Sequence, residues 1–261
     1  MTRRAFARPL FAVLASLAVV LGACSSTPAA PPLTDPKEIL TKAIITLRDV
    51  KTAEFTGSFT GSVKAPQLGD FDLSTIKMSG QFDIPNKKVK FSLDAPSLLG
   101  TKIDALVVDQ TAYYKVAGPA AISLHASADK YTKVPLPSGA TDPVSQVTDV
   151  ATLTANTQTQ LDKLPTPPVK KADEKCGDQD CYHVQIALTA ADVRKLDAAG
   201  GSGFDGALTI DFWTRKSDYR PARIGFTAET LEMGSFGINF DLKYDVNVSV
   251  DAPPADQVVS P

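Results

Sequence analysis

Histidine is nearly missing from this 261-residue chain: there are two, His125 and His183, with one tryptophan and three cysteines. So few imidazoles leave little room for a Ser-His-Asp triad or a histidine-based metal centre. The G-x-S-x-G, H-E-x-x-H and P-loop patterns are also lacking, which removes the usual signatures of acyl transfer, zinc hydrolysis and phosphate binding. One G-x-G-x-x-G string occurs, Gly201-Ser202-Gly203-Phe204-Asp205-Gly206. A dinucleotide site needs a strand before it and a helix after it, and here the order is reversed. Asp173, Glu174, Asp178 and Asp180 lack EF-hand spacing and read as a solvated acidic turn. The sequence thus predicts no catalytic residues, no metal site and no cofactor. No charge excess exists either, with 27 Lys+Arg against 29 Asp+Glu. No apolar run reaches the length of a membrane-spanning helix, about 18 residues or more.

What is present begins with Arg3, Arg4 and Arg8, followed by an apolar stretch from Leu10 to Gly22 that is too short to cross a bilayer comfortably. It ends in Leu21-Gly22-Ala23-Cys24, the L-x-x-C pattern of a bacterial lipobox. Residues 1–23 are therefore expected to be a lipoprotein signal peptide, with Cys24 the lipidated residue. The alternative is an ordinary secretory signal with an incidental cysteine. Cleavage before Cys24 leaves 24 Lys+Arg against 29 Asp+Glu, net −5. A mildly acidic chain is a poor nucleic-acid binder, so its membrane affinity should come from the anchor. The expected location is the outer face of the cytoplasmic membrane, in the cell envelope. Cys176 and Cys181 remain, an even number suited to a disulfide across a polar loop in an oxidising compartment.

Residues 24–33 read as a flexible tether rich in Ser and Pro. Thr34 or Asp35 caps a helix with Pro36 in its first turn, and Ile39, Leu40, Ala43, Ile44, Leu47 and Val50 form its apolar stripe. The period then changes to two. Alternating strands are predicted over 53–64, 76–84, 89–95, 103–109, 112–116 and 131–134, and again around the cysteines and over 208–212, 224–228 and 238–250. Helices are expected after Pro143, near Leu161 and Leu164, and from Thr189 to Ala198. Ten or eleven mostly hairpin-connected strands with a few helices give an α+β fold, and residues 34–252 read as one domain before a tail at 253–261. A large antiparallel sheet has one apolar face that either packs a core or encloses a cavity.

Several segments together resemble the LppX/LprA/LprF/LprG lipoproteins of actinobacteria: the lipobox, Leu47–Ala53 ending the first helix, Val108–Tyr114, Cys181–Val184, Ile210–Thr214 and Val250–Asp256. The resemblance implies a strongly bent antiparallel half-barrel, LolA/LolB-like, with helices over a concave apolar cavity. It also implies a non-enzymatic, anchored carrier of multi-acyl lipids or glycolipids toward the outer envelope. Partners would be the lipid ligand, the membrane and an envelope transporter. The alternative is a non-catalytic scaffold or transporter accessory whose apolar face is simply core. Phe55, Phe59, Phe82, Phe91, Ile103, Leu208, Ile210, Phe226 and Phe240 are the candidates for the inward, lipid-facing surface.

Overall fold

A computed structural model describes residues 32–65, 69–124, 126–136, 159, 161–197, 204–230 and 234–260. Thr34–Pro261 form one compact unit. Its framework is an open sheet of 14 strands: β1 (Thr52–Ala65), β2 (Gly69–Asp72), β3 (Lys77–Asp83), β4 (Lys88–Ala95), β5 (Thr101–Val108), β6 (Thr111–Ala117), β7 (Tyr131–Pro135), β8 (Val169–Lys170), β9 (Glu174–Cys176), β10 (Gln179–Leu188), β11 (Gly206–Arg215), β12 (Pro221–Thr230), β13 (Gly234–Tyr244) and β14 (Val258–Val259). Two meanders, β3 to β7 and β10 to β13, are joined through β1, which pairs with β3 on one side and β13 on the other. The pairing is antiparallel except where β14 adds in parallel to β7. The sheet does not close on itself, as expected of a bent half-barrel.

Local chemistry explains the hairpins. Asp109 and Gln110 both take positive φ between β5 and β6, the backbone of a tight two-residue turn whose twist suits the flanking strands. Asp83 accepts hydrogen bonds from the backbone and side chain of Asn86 between β3 and β4. A disulfide joins Cys176 to Cys181 across the β9–β10 turn, where Gly177 takes positive φ.

Helix α1 (Pro36–Ile45) starts at Asp35, whose carboxylate accepts from the Lys37 N–H at 2.9 Å. Its Ile39, Leu40 and Ala43 are buried, and it packs against β10 and β11. A shorter helix α2 (Ala120–Ser123) lies beside β6, and α3 (Ala190–Asp197) packs on β11 and β10. Thr189 and Asp192 cap α3 reciprocally, side chain to backbone in both directions.

Four features depart from the sequence expectation. The first helix is α-helical only to Ile45 and continues as a 3-10 turn over Thr46–Asp49. The last long strand stops at Tyr244, not Val250, because Asp245 takes positive φ and its N–H bonds to the Thr52 carbonyl. The segment beyond 253 contributes β14 to the sheet. The extra strands over the expected ten or eleven are short, such as β2, β8 and β14. Cys24, His125 and the helix after Pro143 lie outside the described residues.

Candidate functional site

Antiparallel register puts directly opposed residues on the same side of a sheet. Following the pairings Phe55–Gly80–Phe91, Phe55–Leu242, Phe59–Ile238–Phe226–Ile210, Phe82–Val89, Leu93–Ile103 and Leu208–Ala228, all nine candidate residues share one face. Phe55, Phe82, Phe226 and Phe240 form a connected aromatic group, with ring centroids 5.7–6.2 Å apart. Phe59 packs instead beside the buried Leu73, Ile76 and Ala95. None of the nine is buried; each remains half-exposed. The same face at β10 is sealed, with Val184 and Ile186 buried. α1 and α3 pack there, at one end of the sheet.

Where α1 gives way to its 3-10 turn, an apolar cavity of about 280 Å³ opens between that turn and the sheet. Leu47, Arg48 and Val50 line it from the turn, and Ala53, Phe82, Ile84, Pro221, Ile224, Leu242 and Tyr244 line it from the sheet side. The hollow has a plain origin in side-chain size. Ala53 is paired between Phe82 and Tyr244, so a methyl group sits in a row between two rings. In the next row of this face the order inverts: Phe55 lies between Gly80 and Leu242, and a Cβ on Gly80 would come within 2.1 Å of the Phe55 ring. Phe55 thus leans over a glycine, while Ala53 offers only a methyl group to the cavity. Burial pushes the Tyr244 hydroxyl far above its ordinary value, against the opposing pull of Arg215 and Arg220, whose guanidiniums lie over its ring. Tyr244 therefore brings no charge to the wall. Of the nine candidates Phe82 alone lines this cavity. In the sequence Leu47 and Val50 stood out only in the helix stripe, and with Arg48 in the Leu47–Ala53 segment of the resemblance; none was marked as a cavity residue, because that role depends on the turn folding over Ala53.

Around β10 to β13 the opposite face is polar. His183 is buried, its Nδ1 2.7 Å from Glu174 and its Nε2 2.7 Å from Asp211. Its ring stacks on Trp213 at 4.6 Å, and Trp213 donates through Nε1 to Glu174 at 3.2 Å. Gln185 donates to Asp211, and Arg223, over the Trp213 ring, donates to Asp241. Trp213 can lie flat because its neighbour is Gly225, where a Cβ would stand 3.2 Å from the indole. Burial alone would raise Glu174, but the bonds from Trp213 and His183 and the charge of Arg223 hold it below its ordinary value. No nucleophile belongs to this group; it ties the disulfide hairpin to β10 and β11. Among the described residues no cluster of His, Cys, Asp and Glu is arranged to hold a metal ion, and no helix is long and apolar enough to cross a membrane.

No family model matches the chain, and no curated protein matches it by sequence. Solved structures do. The chain is similar to the Mycobacterium tuberculosis lipoprotein LppX, at 14% identity and a TM-score of 0.49, over 83% of this chain and 98% of that one. It is similar to LprF from Mycobacterium bovis at 13% identity and a TM-score of 0.48, over 84% and 96% respectively. A more distant likeness is to MucB in complex with MucA(peri), at 10% identity and a TM-score of 0.38, over 85% of this chain and 58% of that one.

Proposed function

We propose that this protein is a non-enzymatic carrier, anchored through lipidated Cys24, that shields the acyl chains of lipids or glycolipids and helps move them to the outer cell envelope. The observation that carries this reading is the sheet face on which nine large apolar side chains are all left half-exposed, beside a cavity with an apolar wall. A face meant only as core would be closed by helices, as it is over β10. Each methylene moved from water onto such a surface gains about 0.8 kcal/mol, so acyl chains have a strong reason to bind without any catalytic or polar machinery. The polar cluster around His183 supports the same reading, since its groups are engaged with one another.

The test is native mass spectrometry of the full chain, produced with its export signal in a related host. The expected result is a bound acyl lipid released by organic solvent. Cys24→Ala protein should keep the ligand while losing its membrane location. Recovery of lipid-free protein in both forms overturns the reading.

A further inference from the structure

The cavity beneath the 3-10 turn is small and carries one charge, and together these narrow the ligand. This step rests on the lipid-carrier reading and deepens it. Ligand pockets commonly run to about 300–1,000 Å³, and this one is about 280 Å³. At roughly 30 Å³ for a water-sized group, it holds on the order of ten methylenes, enough for one chain of medium length.

Its single charged wall residue is Arg48, exposed at the turn. The other described arginines each hold an aspartate: Arg194 with Asp205, Arg215 with Asp218, Arg220 with Asp245 and Arg223 with Asp241. Among the described residues Arg48 makes no ion pair, and no Asp or Glu lines the cavity. An arginine left without a counter-ion beside an apolar hollow suits a carboxylate or phosphate head, because its donors match oxyanion geometry.

We infer that the cavity takes one acyl chain of a single-chain anionic amphiphile, with the chain over Ala53 between Phe82 and Tyr244 and the head beside Arg48. The geometry assigns the two ends different jobs. The wall selects for one flexible chain, and the arginine selects for negative charge.

Calorimetry on the delipidated full chain tests this with four probes below their micelle concentrations: decanoate, decyl phosphate, decanol and decyltrimethylammonium. Both anions should bind one per protein and more tightly than decanol, with the cation weakest. In Arg48→Gln the affinity ratio of decanoate to decanol should fall about fivefold, as befits an exposed charge pair. Ala53→Phe, which fills the hollow, should abolish binding of all four. Equal binding of decanoate and decanol, with the ratio unmoved by Arg48→Gln, overturns the head-group assignment and leaves the carrier reading standing. A two-chain phosphatidylglycerol that displaces decanoate and binds far more tightly overturns the single-chain assignment alone. If no probe binds, both the inference and the use of this cavity by a carrier fall, whereas lipid recovered by mass spectrometry would still support the carrier reading elsewhere on the face. A preference of decyl phosphate over decanoate, or the reverse, supports the inference and tells lysophospholipid from fatty acid.

Discussion

The two faces of the sheet at β10 to β13 differ in what they leave uncovered. On the outer face a histidine is buried to 7% exposure between two carboxylates and an indole. On the inner face Ile210, Phe226 and Phe240, large and apolar, stay half-exposed. The polar side is satisfied by its own members, since a buried donor or acceptor without a partner costs about 1–3 kcal/mol. An apolar group left in contact with water costs less, about 0.8 kcal/mol per methylene, so the apolar side tolerates being left partly uncovered.

Truncations on the inner side should separate sealed from open positions. Ile39→Ala, at a fully buried site on α1, should cost about 3 kcal/mol in urea unfolding. Leu242→Ala, at the cavity wall, should cost only about 1 kcal/mol, because much of the volume it vacates adjoins space already empty. Equal losses would mean that the hollow is closed in solution.

On the outer side, His183→Ala removes the group between Glu174 and Asp211 and should cost about 2 kcal/mol. It should also shift the fluorescence of Trp213, the single tryptophan, which loses its stacking partner. An unchanged emission spectrum would break the claim that the ring holds the indole. The smallest effect concerns acid. Glu174 is held below its ordinary value of 4.5, so its contribution is present above that pH and is lost as pH falls through the lower folded value. Glu174→Gln should flatten this acid dependence of stability, followed through Trp213 emission during unfolding, by at most about 1 kcal/mol for so exposed a carboxylate. Parallel acid titrations of the two proteins would refute it.

The same contrast explains how far the sequence could be read. Period-two alternation places Phe55, Phe82, Phe226, Ile210 and their companions on one side because hairpin register preserves the side from strand to strand. It overruns at Val250 for a physical reason. After Asp245 turns the chain, Val250 still buries itself against Leu106 and Val108, which with Tyr113 belong to the outer face, and so it looks like a strand residue without pairing as one. Strands as short as β2, β8 and β14 carry too few residues to show a period. The cavity was not legible, because it comes from Leu47 and Val50 folding over Ala53, a relation of tertiary distance. His183 lies in an alternating strand segment, but its partners Glu174 and Asp211 are brought to it by the disulfide hairpin and the β10–β11 register.

The seam between β1 and β13 has a consequence in time. Ala53 finds its partner only when Tyr244 exists, and until then the two meanders are separate ribbons with unpaired margins. At about 5–20 residues per second, roughly ten to forty seconds of synthesis pass before the middle of the sheet can knit. A chain paired in this way keeps the middle of its sheet unlocked until its last long strand has been made.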